Sequence, residues 1–120
     1  MHELSIIAGI VDSVTQTMAA YPGSRVKEVR LRVGALASVI EDSLQFCYEI
    51  ATQGTPLEGS ALIVKILPVS MHCDRCAQEV EIPSLQSFRC PICDQPLTDM
   101  RQGRELELDS IEIEEVEATA

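Results

Sequence analysis

A chain of 120 residues has room for one domain, or for one domain carrying a small appendage. Hydrophobic residues make up 46%, but aromatics only 3% and Trp is absent, so the core falls to Val, Ile, Leu and Ala. The net charge of −10 argues against nucleic-acid binding, which rests on neutralising phosphates with Lys and Arg.

The chain opens Met-His-Glu. The amine of Met1, the amide nitrogens of His2 and Glu3 and a ring nitrogen of His2 can lie in one plane around a single ion. Square-planar nitrogen coordination suits Ni(II) or Cu(II) rather than Zn or Mg. Glu3 adds a carboxylate oxygen where the ion becomes five- or six-coordinate. Any chain beginning Met-His shares this chemistry, and a loosely packed terminal histidine is the ordinary alternative. The same N-terminus lacks a basic signal-type start, and no apolar run approaches the roughly 18 residues of a membrane span. A cytoplasmic protein with no membrane partner is expected.

Over residues 4–20, Ile7, Ile10, Val11, Val14 and Met18 recur at helical spacing, and Pro22–Gly23 stop the helix. In "VKEVRLRVG", Val29, Leu31 and Val33 alternate with Glu28, Arg30 and Arg32, a strand with one face on a core. "IEDSLQFCYEIATQG" reads as a second helix with Ile40, Leu44, Cys47, Tyr48 and Ala51 as its apolar stripe and Gly54 as its end. Cys47, on that stripe, reads as a small hydrophobe filling the core. "ALIVKILPV" follows as a strand, with Leu62, Val64 and Ile66 expected to face the helices.

From Met71 to about Gly103 the pattern changes. This stretch is dense in Cys, Pro and polar residues and reads as too poor in aliphatics to build its own core. Beyond it "RELELDSIEIEEV" is again strand-like, Leu106 and Leu108 alternating on even positions and Ile111 and Ile113 on odd ones, which predicts a β-bulge near Asp109–Ser110. The five carboxylates of "LDSIEIEEVE" read as a solvated strand face and tail. The expected fold is α+β: a small sheet with two helices, residues 1–69 plus 104–120, interrupted by an inserted zinc-ribbon-like segment, residues 70–103.

That insertion carries Cys73 and Cys76, then Cys90 and Cys93, as two CxxC knuckles. Two thiolates from each close a tetrahedron, for which zinc is the usual occupant of a structural site. Metal binding then couples to folding of the segment. Iron in a rubredoxin-like electron carrier is an alternative, although Phe88 is the only aromatic in the segment. A zinc-ribbon adaptor for nucleic acid or transcription machinery is another, against which the acidic balance stands. His72, directly before Cys73, is a spare ligand that a filled four-sulfur zinc does not need.

Together, "MHELSI" opening a helix, "VRLRVG", "LQFCYEIATQGTPLEGSALIV", the CxxC–x13–CxxC pair and the closing "GRELELDSIEI" resemble the HypA/HybF family of hydrogenase nickel-maturation proteins. The resemblance runs nearly end to end. It implies a cytoplasmic nickel metallochaperone and not an enzyme, binding Ni(II) at His2 with Glu3 beside it. It implies zinc held by Cys73, Cys76, Cys90 and Cys93. It also implies a GTPase partner, HypB, and delivery to the precursor of the NiFe-hydrogenase large subunit, with urease maturation proteins served in some organisms. Some members place a histidine after a CxxC pair, whereas here Ala77 and Asp94 stand at those positions.

Overall fold

The computed structural model describes residues 3–116, so Met1, His2 and residues 117–120 lie outside it. In chain order the elements are α1 (Glu3–Met18), β1 (Ser24–Gly34), α2 (Glu41–Ala51), β2 (Ala61–Leu67), β3 (Ser70–Cys73), β4 (Gln78–Glu81), β5 (Asp99–Gln102) and β6 (Leu106–Glu115). The fold is α+β. Two three-stranded sheets are present, ordered β2-β1-β6 and β4-β3-β5. The chain divides into two compact units, Met1–Leu31 with Ser38–Val64 and Leu108–Ala120, and Arg32–Ala37 with Lys65–Glu107.

In the first unit α1 packs against α2. The helical spacing of α1 turns Ile7, Val11, Val14 and Met18 into one buried stripe, with Ile10 half-buried at its edge. From α2 only Leu44 and Tyr48 are buried, with Thr52 just past its end. The expected stripe was therefore too wide. Ile40 sits at the N-cap with extended backbone and is 64% exposed, while Cys47 and Ala51 are half-buried. The buried Thr52 hydroxyl donates back to the Tyr48 carbonyl at 2.8 Å, so it brings no unpaired polar atom inside.

The alternation expected in β1 is present at Val29, Leu31 and Val33, all buried. Val26 is buried too, three residues before Val29, so the strand changes phase between them. The outward side chains of β1 meet the acids of β6. Arg25 pairs with Glu114 at 2.5 Å, Arg30 with Glu112 at 3.5 Å and Arg32 with Glu107 at 3.1 Å. The partner numbers fall as those of β1 rise, the order of antiparallel neighbours. Each such exposed pair contributes at most about 1 kcal/mol. In β2, Leu62 is buried and Val64 half-buried, but Ile66 is 53% exposed and Leu67 is buried in its place. The expectation for Ile66 fails because the strand shifts phase after Val64, leaving Lys65 and Ile66 both outward.

The second unit holds more regular structure and more apolar packing than its composition suggests. β3 pairs antiparallel with β4, from Ser70↔Glu81 to Cys73↔Gln78, and with β5, where the register shifts between Ser70 and Met71. Alternation along β3 sends Met71 and Cys73 inward. They join Val69, Val80, Ile82, Cys90 and Leu97 in a buried cluster, with Leu36, Cys76, Cys93 and Met100 packed against it. The insertion thus contributes to a small core of its own, correcting the reading that it was too poor for one. Its apolar residues are few, but strand pairing gathers them on one face.

Candidate metal centres

The four knuckle cysteines come together. Cys73 ends β3 and Cys76 follows it in a turn, whereas Cys90 and Cys93 flank a second turn near the Arg89↔Pro96 bridge. The sulfurs pair across the knuckles, Cys73 Sγ to Cys93 Sγ at 3.6 Å and Cys76 Sγ to Cys90 Sγ at 3.8 Å. All four lie within 4.8 Å of one another, and no other such group occurs among the described residues. Metal–sulfur bonds of about 2.3 Å imply tetrahedral edges of about 3.8 Å, so the donor set fits a tetrahedral thiophilic ion. Cys73 and Cys90 are buried, and Cys76 and Cys93 half-buried. The surrounding cluster is aliphatic, without the aromatic wrapping of a rubredoxin.

Both knuckles have the same backbone solution. The residue after each second cysteine takes a left-handed conformation, Ala77 at φ 53° and Asp94 at φ 63°. This turns the chain back sharply, the Asp94 amide donating to the Cys90 carbonyl at 2.9 Å and the Ala77 amide to the Asp74 carbonyl at 3.3 Å. Arg89 donates to the Asp94 carbonyl at 3.0 Å and braces the second turn. In the sequence these two positions stand out only for lacking histidine. A glycine there would have signalled the turn; Ala and Asp carry no such signal.

The thiols are not equivalent. Amide donation from Cys93 holds the Cys90 thiol down at about 7 despite burial, and the Ile92 amide adds to it at 3.4 Å. Burial pushes Cys76 up to about 12, and the other three sulfurs act in the same direction. One knuckle therefore offers a thiolate near neutral pH while the other holds its proton until a metal displaces it.

His72 does not join the cluster. Strand alternation puts it on the opposite face of β3 from Cys73, with Nε2 3.2 Å from Asp74 Oδ1. Cys47 is half-buried and lines a groove of about 410 Å³ with Glu3, Leu4, Asp42, Ser43 and Phe46. Its expected role as core filler is corrected accordingly. Glu3 is the first residue of α1 and half-buried. Met1 and His2, the remaining members of the N-terminal donor set, lie outside the described residues. No helix among the described residues is long and apolar enough to cross a membrane.

The same fold recurs in known proteins. The solution structure of the Ni metallochaperone HypA from Helicobacter pylori superposes with a TM-score of 0.64 at 19% identity, over 98% of this chain and all of that one. A second solution structure, of HypA protein, gives 0.69 at 18% identity over 93% and 95%. These likenesses show the fold. The hydrogenase maturation factor HypA of Chloroflexus aurantiacus is 45% identical over 112 residues, 93% of this chain and 98% of that protein. That of Desulfitobacterium hafniense is 37% identical over 115 residues, 96% and 100%. A family model described as "Hydrogenase/urease nickel incorporation, metallochaperone, hypA" matches residues 1–113, a span that takes in both the Met-His-Glu start and the four cysteines. The chain belongs to the HypA family.

Proposed function

We propose that this protein is a cytoplasmic nickel metallochaperone of hydrogenase maturation and performs no catalysis itself. It binds Ni(II) through the Met1 amine, the His2 and Glu3 amide nitrogens and the His2 imidazole, with the Glu3 carboxylate as a further donor. It hands the ion on, together with the GTPase HypB, to the precursor of the NiFe-hydrogenase large subunit; urease maturation proteins are a second class of client. The observation that carries this reading is the family match over residues 1–113, within which both candidate donor sets fall. The nickel-binding domain is taken as residues 1–69 plus 104–120, and the zinc domain as residues 70–103.

Zinc is assigned to Cys73, Cys76, Cys90 and Cys93 because a closed set of four sulfurs leaves no position for exchange, which suits a structural ion better than a cargo. Nickel at the terminus has the opposite property. Protonating the two amides, or drawing the first residues aside, dismantles a terminal nitrogen site without unfolding the chain. Selectivity and release thus reside in the same few atoms.

The test is a Ni(II) titration of the zinc-loaded chain with its native N-terminus, beside His2→Ala and a form extended by a few residues at the N-terminus. The expected result is one Ni(II) per chain with a planar ligand-field spectrum in the native form only. Equal nickel binding by all three forms would move the ion elsewhere and overturn the assignment of His2.

A further inference from the structure

The net charge is distributed very unevenly. The unit built on α1 and α2 contains twelve acidic and three basic residues, whereas the unit holding the four cysteines contains seven and six. Within the first unit the acids differ in circumstance. Asp109 and Glu115 of β6 make no ion pair among the described residues, but Glu28, Glu112 and Glu114 of β1 and β6 all pair with arginines. The acids on the helices do not. Neither α1 nor α2 contains a Lys or Arg, and Glu3, Asp12, Glu41, Asp42, Glu49 and the nearby Glu58 make no ion pair among the described residues.

The same helices expose large apolar side chains. Phe46 is 65% exposed and Ile50 49%, four residues apart and therefore on one face of α2, away from the buried Leu44 and Tyr48. Phe46 stands between two grooves and lines both. One, of about 410 Å³, is shared with Leu4 and carries Glu3 and Asp42; the other, of about 730 Å³, carries Glu49 and Glu58. A single exposed apolar residue is unremarkable. An aromatic ridge with carboxylates in the groove on either side, none of them in an ion pair among the described residues, is a patterned surface.

We propose that this face of α1 and α2 docks a basic amphipathic helix of a partner protein. The apolar stripe of that helix packs on Phe46, Ile50 and Leu4, and flanking Lys or Arg side chains enter the two grooves. Charge complementarity selects the occupant. A second copy would bring the same excess of carboxylates to the interface, and an anionic lipid surface is repelled for the same reason. Burying the ridge against an apolar stripe supplies affinity, since exposed aromatics of this kind are the usual anchors of an interface. The cationic rim supplies on-rate and partner choice. The groove shared with Leu4 also carries Glu3, a proposed nickel donor, so the test omits nickel and leaves Glu3 unaltered.

The test uses the full metal-loaded chain without added nickel and three synthetic 18-residue peptides. One is a Leu/Lys amphipathic helix, one its Leu/Glu counterpart, and one the Leu/Lys composition scrambled so that no apolar stripe forms. Binding is followed by fluorescence anisotropy and mapped by amide chemical shifts. The Leu/Lys helix is expected to bind with shifts centred on α2, to weaken at least tenfold with Phe46→Ala, and to lose most of its salt dependence with Asp42→Asn/Glu49→Gln/Glu58→Gln. Phe46 is largely exposed, so its truncation leaves the fold intact, which circular dichroism checks. Any of three results overturns the proposal: no binding by the Leu/Lys helix, equal binding by the scrambled or Leu/Glu peptide, or an affinity indifferent to Phe46→Ala.

Discussion

The sulfur of Cys73, in the first knuckle, lies 3.6 Å from that of Cys93 in the second, and Cys76 pairs with Cys90 in the same crosswise manner. Cys73 and Cys90 belong to the buried cluster of Val69, Met71, Val80, Ile82 and Leu97, and Cys76 and Cys93 pack against it, so releasing either knuckle disturbs that cluster. Metal and packing should fail together. Cys93→Ser is expected to abolish the tightly bound ion rather than merely weaken it, and to expose backbone amides over residues 69–102 to rapid exchange. Metal-coupled folding in small thiolate sites is worth on the order of 10 kcal/mol, more than a cluster of this size supplies alone. Hydrogen exchange on the variant and on chelator-treated wild type should give the same map, with α1 and α2 still protected; protection of residues 69–102 in the absence of metal would show that packing suffices.

The left-handed residues after the knuckles offer a stability gain. Ala77 at φ 53° carries a Cβ in a region that costs an L-residue about 1–2 kcal/mol, part of which glycine returns to the more flexible unfolded chain. Ala77→Gly is expected to stabilise the unit by about 0.5–1 kcal/mol. Asp94→Gly should give less, because Asp tolerates this conformation better than Ala. Ala77→Val should destabilise, a β-branched residue being the worst choice there. Chemical denaturation of the metal-loaded proteins measures all three, and a loss of stability in Ala77→Gly would contradict the argument.

What was legible in the sequence was whatever repeats locally. The buried stripe Ile7–Val11–Val14–Met18 and the alternation Val29–Leu31–Val33 stand in the spacing of neighbouring residues, and the four cysteines identify themselves by paired spacing. The failures are places where distant segments decide. Ile66 points outward because β2 changes phase, which no residue within it announces, and Ile40 is lost from its stripe because α2 begins one residue later. The three strands of the insertion are four residues each and mostly polar, so their pattern is too short to read. Its cluster draws on residues from Leu36 to Met100, which become neighbours only once the strands pair.

The unequal thiols predict a definite pH response. Cys90, at about 7, is substantially ionised near neutrality, while Cys76, at about 12, is fully protonated there. A tetrathiolate needs both as anions, so loading the apoprotein at pH 7 to 8 must expel the Cys76 proton, whereas Cys90 gives up progressively less as pH rises through 7. The sign follows: protons compete with the metal, and affinity falls as pH is lowered. For each proton displaced the fall is about tenfold per pH unit, and it steepens below about 7, where Cys90 is also protonated. Titration with zinc in weakly buffered solution should register this release, with more protons per ion at pH 6 than at pH 8. Equal release at the two values would place the Cys90 thiol outside this range.

Two glycines show how context sets the sign of one substitution. The backbone of Gly34, at the end of β1, lies so close to that of Gly103 that a Cβ on Gly34 would overlap the Gly103 carbonyl group. The approach is held by the Gly34 amide donating to the Glu105 carbonyl and the Leu36 amide to the Gly103 carbonyl, each at 2.7 Å. Gly34→Ala must push these two segments apart, and because the obstacle is backbone it cannot rotate away. The expected cost is at least about 2–3 kcal/mol, a large part of the stability of a domain this small. Gly9, in the middle of α1, meets nothing within 4 Å of the same added atom. Gly9→Ala should therefore stabilise by about 1 kcal/mol through helix propensity alone. Urea denaturation of the two variants side by side is the measurement, with the midpoint moving down for Gly34→Ala and up for Gly9→Ala. A neutral Gly34→Ala would mean that the strand end can yield, and that the two amide bonds, not the missing side chain, hold these segments together.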